Sequence, residues 1–140
     1  MEAVTGSWQE QIDSKLEKIT KLNKPPLKII SSWFLTLHSL KKKKVSEDPE
    51  LFKAFHLAAD TNKECIRKHL DTTNKQLSYL VKLSIDQGSL KKDSIQKIVN
   101  ILFFSTLAYH YPKLVAQNLD LKQKNQLKEL LDVLFKGLKT

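Results

Sequence analysis

Three groupings of side chains have types and spacing that could do chemistry. Cys65 and His69 stand four residues apart, a separation that puts two metal ligands on one face of a helix. Zinc takes three or four ligands and Cys65 is the single cysteine, so the pair is half a site and reads as a small core thiol beside a boundary imidazole. His56, Asp60 and Glu64 repeat at the same interval, the arrangement by which a carboxylate orients an imidazole for general acid or base work. No nucleophile or substrate clamp accompanies them, and a solvated hydrogen-bonded stripe is the simpler account. His38 and His110 are isolated along the chain and suggest no chemistry.

The third grouping is Lys41, Lys42, Lys43 and Lys44. From Pro25 to Ser46 the chain carries five lysines and no acid. Such a tetrad resembles a simple nuclear-import signal and equally suits contact with phosphates. Its bland reading is a hydrated helix end, where cations complement the macrodipole by up to about 1 kcal/mol. With Lys91 and Lys92 the tetrad forms the expected partner-binding surface. Three scattered glycines, Gly6, Gly88 and Gly137, rule out the glycine-rich loops that cradle nucleotides. The expectation is therefore a protein that is not an enzyme and needs neither metal nor cofactor.

The net charge is +9, and a single arginine, Arg67, accompanies 23 lysines. Arginine is the side chain that reads guanine or clamps phosphate bidentately, so a diffuse positive surface is easier to defend than base-specific recognition. The charge gathers in residues 25–46 and 89–140, while residues 47–88 are slightly acidic. That asymmetry favours an acidic partner.

These residues must be held by helices. Three glycines and four prolines are too little punctuation for a sheet protein with a turn every ~8–12 residues. At 140 residues the chain is one domain long, residues 1–140, and can bury a single core. Ser7 and Glu10 suggest a capping box for a first helix over about 8–23, with Trp8, Ile12, Leu16, Ile19 and Leu22 on its apolar stripe. Pro25 and Pro26 suit the first turn of a second, whose face is Leu27, Ile30, Trp33, Phe34, Leu37 and Leu40. Asp48, Pro49 and Glu50 open a third that runs to Leu70. A break is expected at Asp71 to Thr73, with Thr73 and Gln76 capping the next helix. Gly88 suits a helix end. Ile95 to Tyr109 reads as a nearly all-apolar helix forming the spine of the core, Phe103 and Phe104 included. A short turn follows Pro112, and Asp120 with Gln123 caps a last helix bearing Leu127, Leu130, Leu131, Leu134, Phe135 and Leu138.

The fold class is thus all-α: a single compact domain of six or seven helices in an antiparallel bundle or short helical array. In layout it is similar to helical adaptor domains that present a groove to peptides. The leading functional reading is a non-enzymatic interaction module, an adaptor or a subunit of a larger assembly, meeting another protein through an acidic segment. The alternative is sequence-nonspecific nucleic-acid binding through lysine contacts to the phosphate backbone. The single cysteine and the lack of a signal-peptide pattern or a ~20-residue apolar run point to an intracellular protein without a transmembrane segment.

Overall fold

A computed structural model describes residues 2–47, 50, 63–119 and 122–139. Among these, six α-helices and one 3-10 turn account for the regular structure: α1 (Glu2–Thr20), α2 (Pro26–Glu47), α3 (Lys63–Asp86), α4 (Ile95–Ser105), the turn Leu107–Tyr109, α5 (Pro112–Gln117) and α6 (Lys124–Leu138). The all-α expectation holds. None of the described helices is long and apolar enough to cross a membrane.

Helix α1 already runs through Ser7 and Glu10, so these two do not mark its start as the capping-box pattern suggested. It ends where the Thr20 hydroxyl turns back to donate to the carbonyl of Glu17 at 2.6 Å. Pro26 then opens α2 as expected, because its missing N–H would be unpaired there anyway, and the Pro25 carbonyl accepts the N–H groups of Lys28 and Ile29.

The expected break at Asp71 to Thr73 is absent: α3 is continuous from Lys63 to Asp86. The Thr72 and Thr73 hydroxyls donate backwards, to the carbonyls of Lys68 and Leu70 at 3.0 Å each. A threonine satisfied by the preceding turn does not have to leave the helix. Helix α3 ends at Gly88, whose φ of 78° lets its N–H reach Ile85 O while the N–H of Ser89 reaches Ser84 O at 2.8 Å, the paired bonds of a Schellman ending. The turn drives Leu90 into the core.

The next helix stops sooner than the apolar pattern implied. Thr106 Oγ1 donates to Leu102 O at 2.7 Å, and the chain tightens into the 3-10 turn before Pro112. Phe104 is 64% exposed, so α4 has one buried face rather than an apolar circumference. The spine of the core is α2, which packs against α1, α3, α5 and α6 and buries Ile29, Ile30, Trp33, Phe34 and Leu37. Trp33 and Phe34 meet edge to face, centroids 4.9 Å apart. Ile12 and Leu16 of α1, Leu77, Leu80 and Val81 of α3, Ile98, Val99 and Leu102 of α4, and Leu127, Leu131 and Phe135 of α6 close the core around it. Gln123 precedes α6 without a side-chain capping bond, and Asp120, its expected companion, lies outside the described residues.

A buried charge relay and an aromatic cleft as candidate functional site

Lys41 lies on the same stripe as Phe34, Leu37 and Val45, and 3.6-residue periodicity turns it inward with them. Its side chain is 3% exposed. The ammonium lies 3.2 Å from Nε2 of His69 on α3, and Nδ1 of the same ring lies 2.9 Å from the Asp13 carboxylate on α1. A carboxylate only accepts and an ammonium only donates, so His69 is a neutral imidazole that carries its proton on Nδ1 and receives the Lys41 bond on Nε2. The ring bridges a buried cation and its counterion. Gln76, also on α3, extends the network: its amide donates to the Asp13 carbonyl at 3.2 Å and its oxygen accepts the Trp33 indole N–H at 2.9 Å.

Burial sets the proton affinities. Desolvation pulls Lys41 down from 10.5 to about 8, with Asp13 partly opposing the shift. Desolvation and then the Lys41 charge lower His69, again opposed by Asp13. His110 is pushed down to about 3, chiefly by burial and secondly by Lys41. Its Nε2–H is shared between Phe103 O and Thr106 Oγ1, each at 3.1 Å, and its ring lies 4.6 Å from that of Phe103. His38 donates from Nδ1 to Tyr109 O at 2.7 Å, and burial outweighs that bond to lower its affinity as well.

One turn beyond His69, Thr73 forms part of a cleft of about 220 Å³ between α3 and α4, lined also by Leu70, Asn74, Val99, Asn100, Phe103 and Phe104. Its walls are mostly aromatic and aliphatic, with two side-chain amides to orient an occupant. The His110 ring packs against Phe103 of this wall.

The residues expected to bind a partner are dispersed. Lys41 is interior, Lys43 is exposed, and Lys42 and Lys44 are half-buried. Lys42 borders a second cleft with His38, Ser39, Lys122, Gln123, Lys124 and Asn125. Lys91 and Lys92 are exposed at the opposite end of the molecule, where the Lys91 N–H donates to Leu138 O at 2.8 Å. The side chains of Cys65, His56, Asp60 and Glu64 lie outside the described part of the structure. Among the described residues no three His, Cys, Asp or Glu side chains gather as metal ligands. Sequence reasoning missed Asp13, Gln76, His38 and His110. The available signal was phase: Lys41, and likewise His69, Thr73 and Gln76, are polar residues in step with apolar stripes.

Fold and site define a helical domain that keeps charge in its core and an aromatic cleft beside it. The chain belongs to the tetracyclin repressor-like C-terminal domain family, whose profile matches residues 26–131. The match spans α2 to the first half of α6 and leaves out α1, the source of Asp13. No curated protein and no solved structure matches the chain. Family membership corrects the functional expectation. A regulator's C-terminal domain replaces the adaptor or assembly subunit, and neither an acidic protein segment as partner nor backbone binding of nucleic acid has support.

Proposed function

We propose that this chain is the effector-binding and self-pairing domain of a transcription regulator. The observation that carries the reading is the family match over residues 26–131. The cleft between α3 and α4 supports it with a place for a small, mainly apolar ring compound bearing one or two hydrogen-bonding groups. Its volume of about 220 Å³ falls below the ~300–1,000 Å³ of drug-sized sites and suits a smaller compound. Val133 on α6, 66% exposed, is a large apolar side chain that pairing with a second copy would cover.

The test is thermal unfolding of the purified chain against a panel of small aromatic compounds, with light scattering for mass. A true effector at about a hundredfold over its Kd stabilises by about 2.7 kcal/mol and raises Tm by several degrees. Phe103→Ala should abolish that shift, and the mass should be that of a dimer. A monomer whose Tm no compound moves would sink the reading.

A further inference from the structure

A different part of the molecule carries a second site, independent of whether the aromatic cleft receives an effector. Where the N-terminal half of α2 faces the C-terminal half of α6, a groove of about 560 Å³ is lined by Lys24, Lys28, Lys128, Lys136 and Lys139, with Asp132 as the single acid. We propose that this groove binds a small polyphosphorylated ligand.

The five ammonium groups come from both walls, and all are exposed. Among the described residues none of the five takes part in an ion pair, whereas exposed Lys21, Lys82 and Lys97 each reach a carboxylate four residues away. Concentrating five like charges around one carboxylate opposes the folded arrangement, and a multivalent anion relieves that repulsion. The rest of the lining suits a phosphorylated molecule better than a bare ion. The hydroxyls of Ser31 and Ser32 can donate to phosphate oxygens, and Leu27 with Phe135 offers an apolar floor to a non-phosphate body. Lysine is a point-charge partner for phosphate and needs no planar bidentate fit.

Size selects a compact ligand over a polymer. The volume lies within the range of small-molecule sites. The groove also shares no lining residue with the cleft around Lys42, Lys122 and Lys124 farther along the same helix pair. The two basic regions are thus separate clefts rather than one continuous cavity.

Calorimetric titration of the whole chain with inorganic tripolyphosphate, at about 0.1 M and about 1 M salt, tests the site, because the Debye length falls from about 10 Å to about 3 Å between them. The expected result is one ion per chain, bound much more weakly at high salt. Lys28→Gln with Lys136→Gln should weaken binding roughly tenfold or more. Lys68→Gln with Lys75→Gln, which removes the same net charge from exposed positions on α3, should change it less than about twofold. Circular dichroism and Tm confirm that both variants fold. Equal losses in the two variants would mean binding to net charge alone and overturn the proposal, as would absence of binding at low salt. Tighter binding of a single-stranded oligonucleotide, weakened equally by Lys122→Gln with Lys124→Gln, would replace the compact site with an extended polyanion surface.

Discussion

At the residue scale, the relay joins groups far apart in sequence: 28 residues separate Lys41 from His69 and 56 separate His69 from Asp13. A buried pair of opposite charges is not automatically stabilising, since desolvation offsets much of the attraction. Here the depressed affinity of Lys41 shows that desolvation prevails. In the unfolded chain Lys41 holds its proton up to about 10.5, and in the folded chain only up to about 8. Between those values the unfolded state binds more protons, so stability rises with pH. Urea unfolding from pH 7 to 10.5 should show wild type gaining about 3 kcal/mol relative to Lys41→Met, with the gain beginning near pH 8. Parallel curves for the two proteins would mean that Lys41 is not the buried cation described. His110 acts at the other end of the scale. Its proton affinity falls from 6.5 unfolded to about 3 folded, so its neutral form contributes stability above pH 6.5 that is lost as pH falls towards 3. His38 and His69 shift in the same direction. His110→Gln should make the slope of stability between pH 6.5 and 4 shallower by up to about 1.4 kcal/mol per pH unit, the weight of one proton, while the other two imidazoles keep part of the slope in place.

At the element scale, helix endings decided where the sequence could be read. Gly88 and Pro26 impose backbone geometry by themselves, and both were legible. Gly88→Ala should destabilise by about 1–2 kcal/mol. No atom lies within 4 Å of where its Cβ would stand, so the loss is the left-handed backbone alone. Gly137, inside α6 with equally open surroundings, should respond oppositely: Gly137→Ala gains about 0.5–1 kcal/mol from helix propensity. Equal signs in the two Tm shifts would contradict these backbone assignments. Legibility failed where a side chain had a choice of partner. Thr73 could cap a new helix or bond back into the old one, and local sequence does not decide between them. The apolar pattern of 95–109 hid the stop at Thr106 for the same reason. Apolar periodicity located α2 and α6 well, but the hub role of α2 depends on how many neighbours surround it, which no single stripe encodes. The relay escaped because a lysine was assigned to solvent by type although its phase put it inside.

At the scale of the whole molecule, the charge balance has two components that salt should separate. A net charge of +9 makes the folded chain repel itself, most strongly where Lys24, Lys28, Lys128, Lys136 and Lys139 share one groove. Those groups face water, and mobile ions screen them within about 3 Å at 1 M salt. Lys41, His69 and Asp13 are largely withdrawn from water, and mobile ions reach them poorly. Raising sodium chloride from about 0.1 to about 1 M should therefore increase Tm, because the repulsive surface component shrinks while the relay keeps its attraction. The gain should be smaller in Lys28→Gln with Lys136→Gln, which already lacks part of the repulsion. It should persist in Lys41→Met, where only the interior has changed. If salt instead lowered Tm, attraction among surface charges would outweigh their repulsion, and the lysine groove would not be the strained feature of this surface.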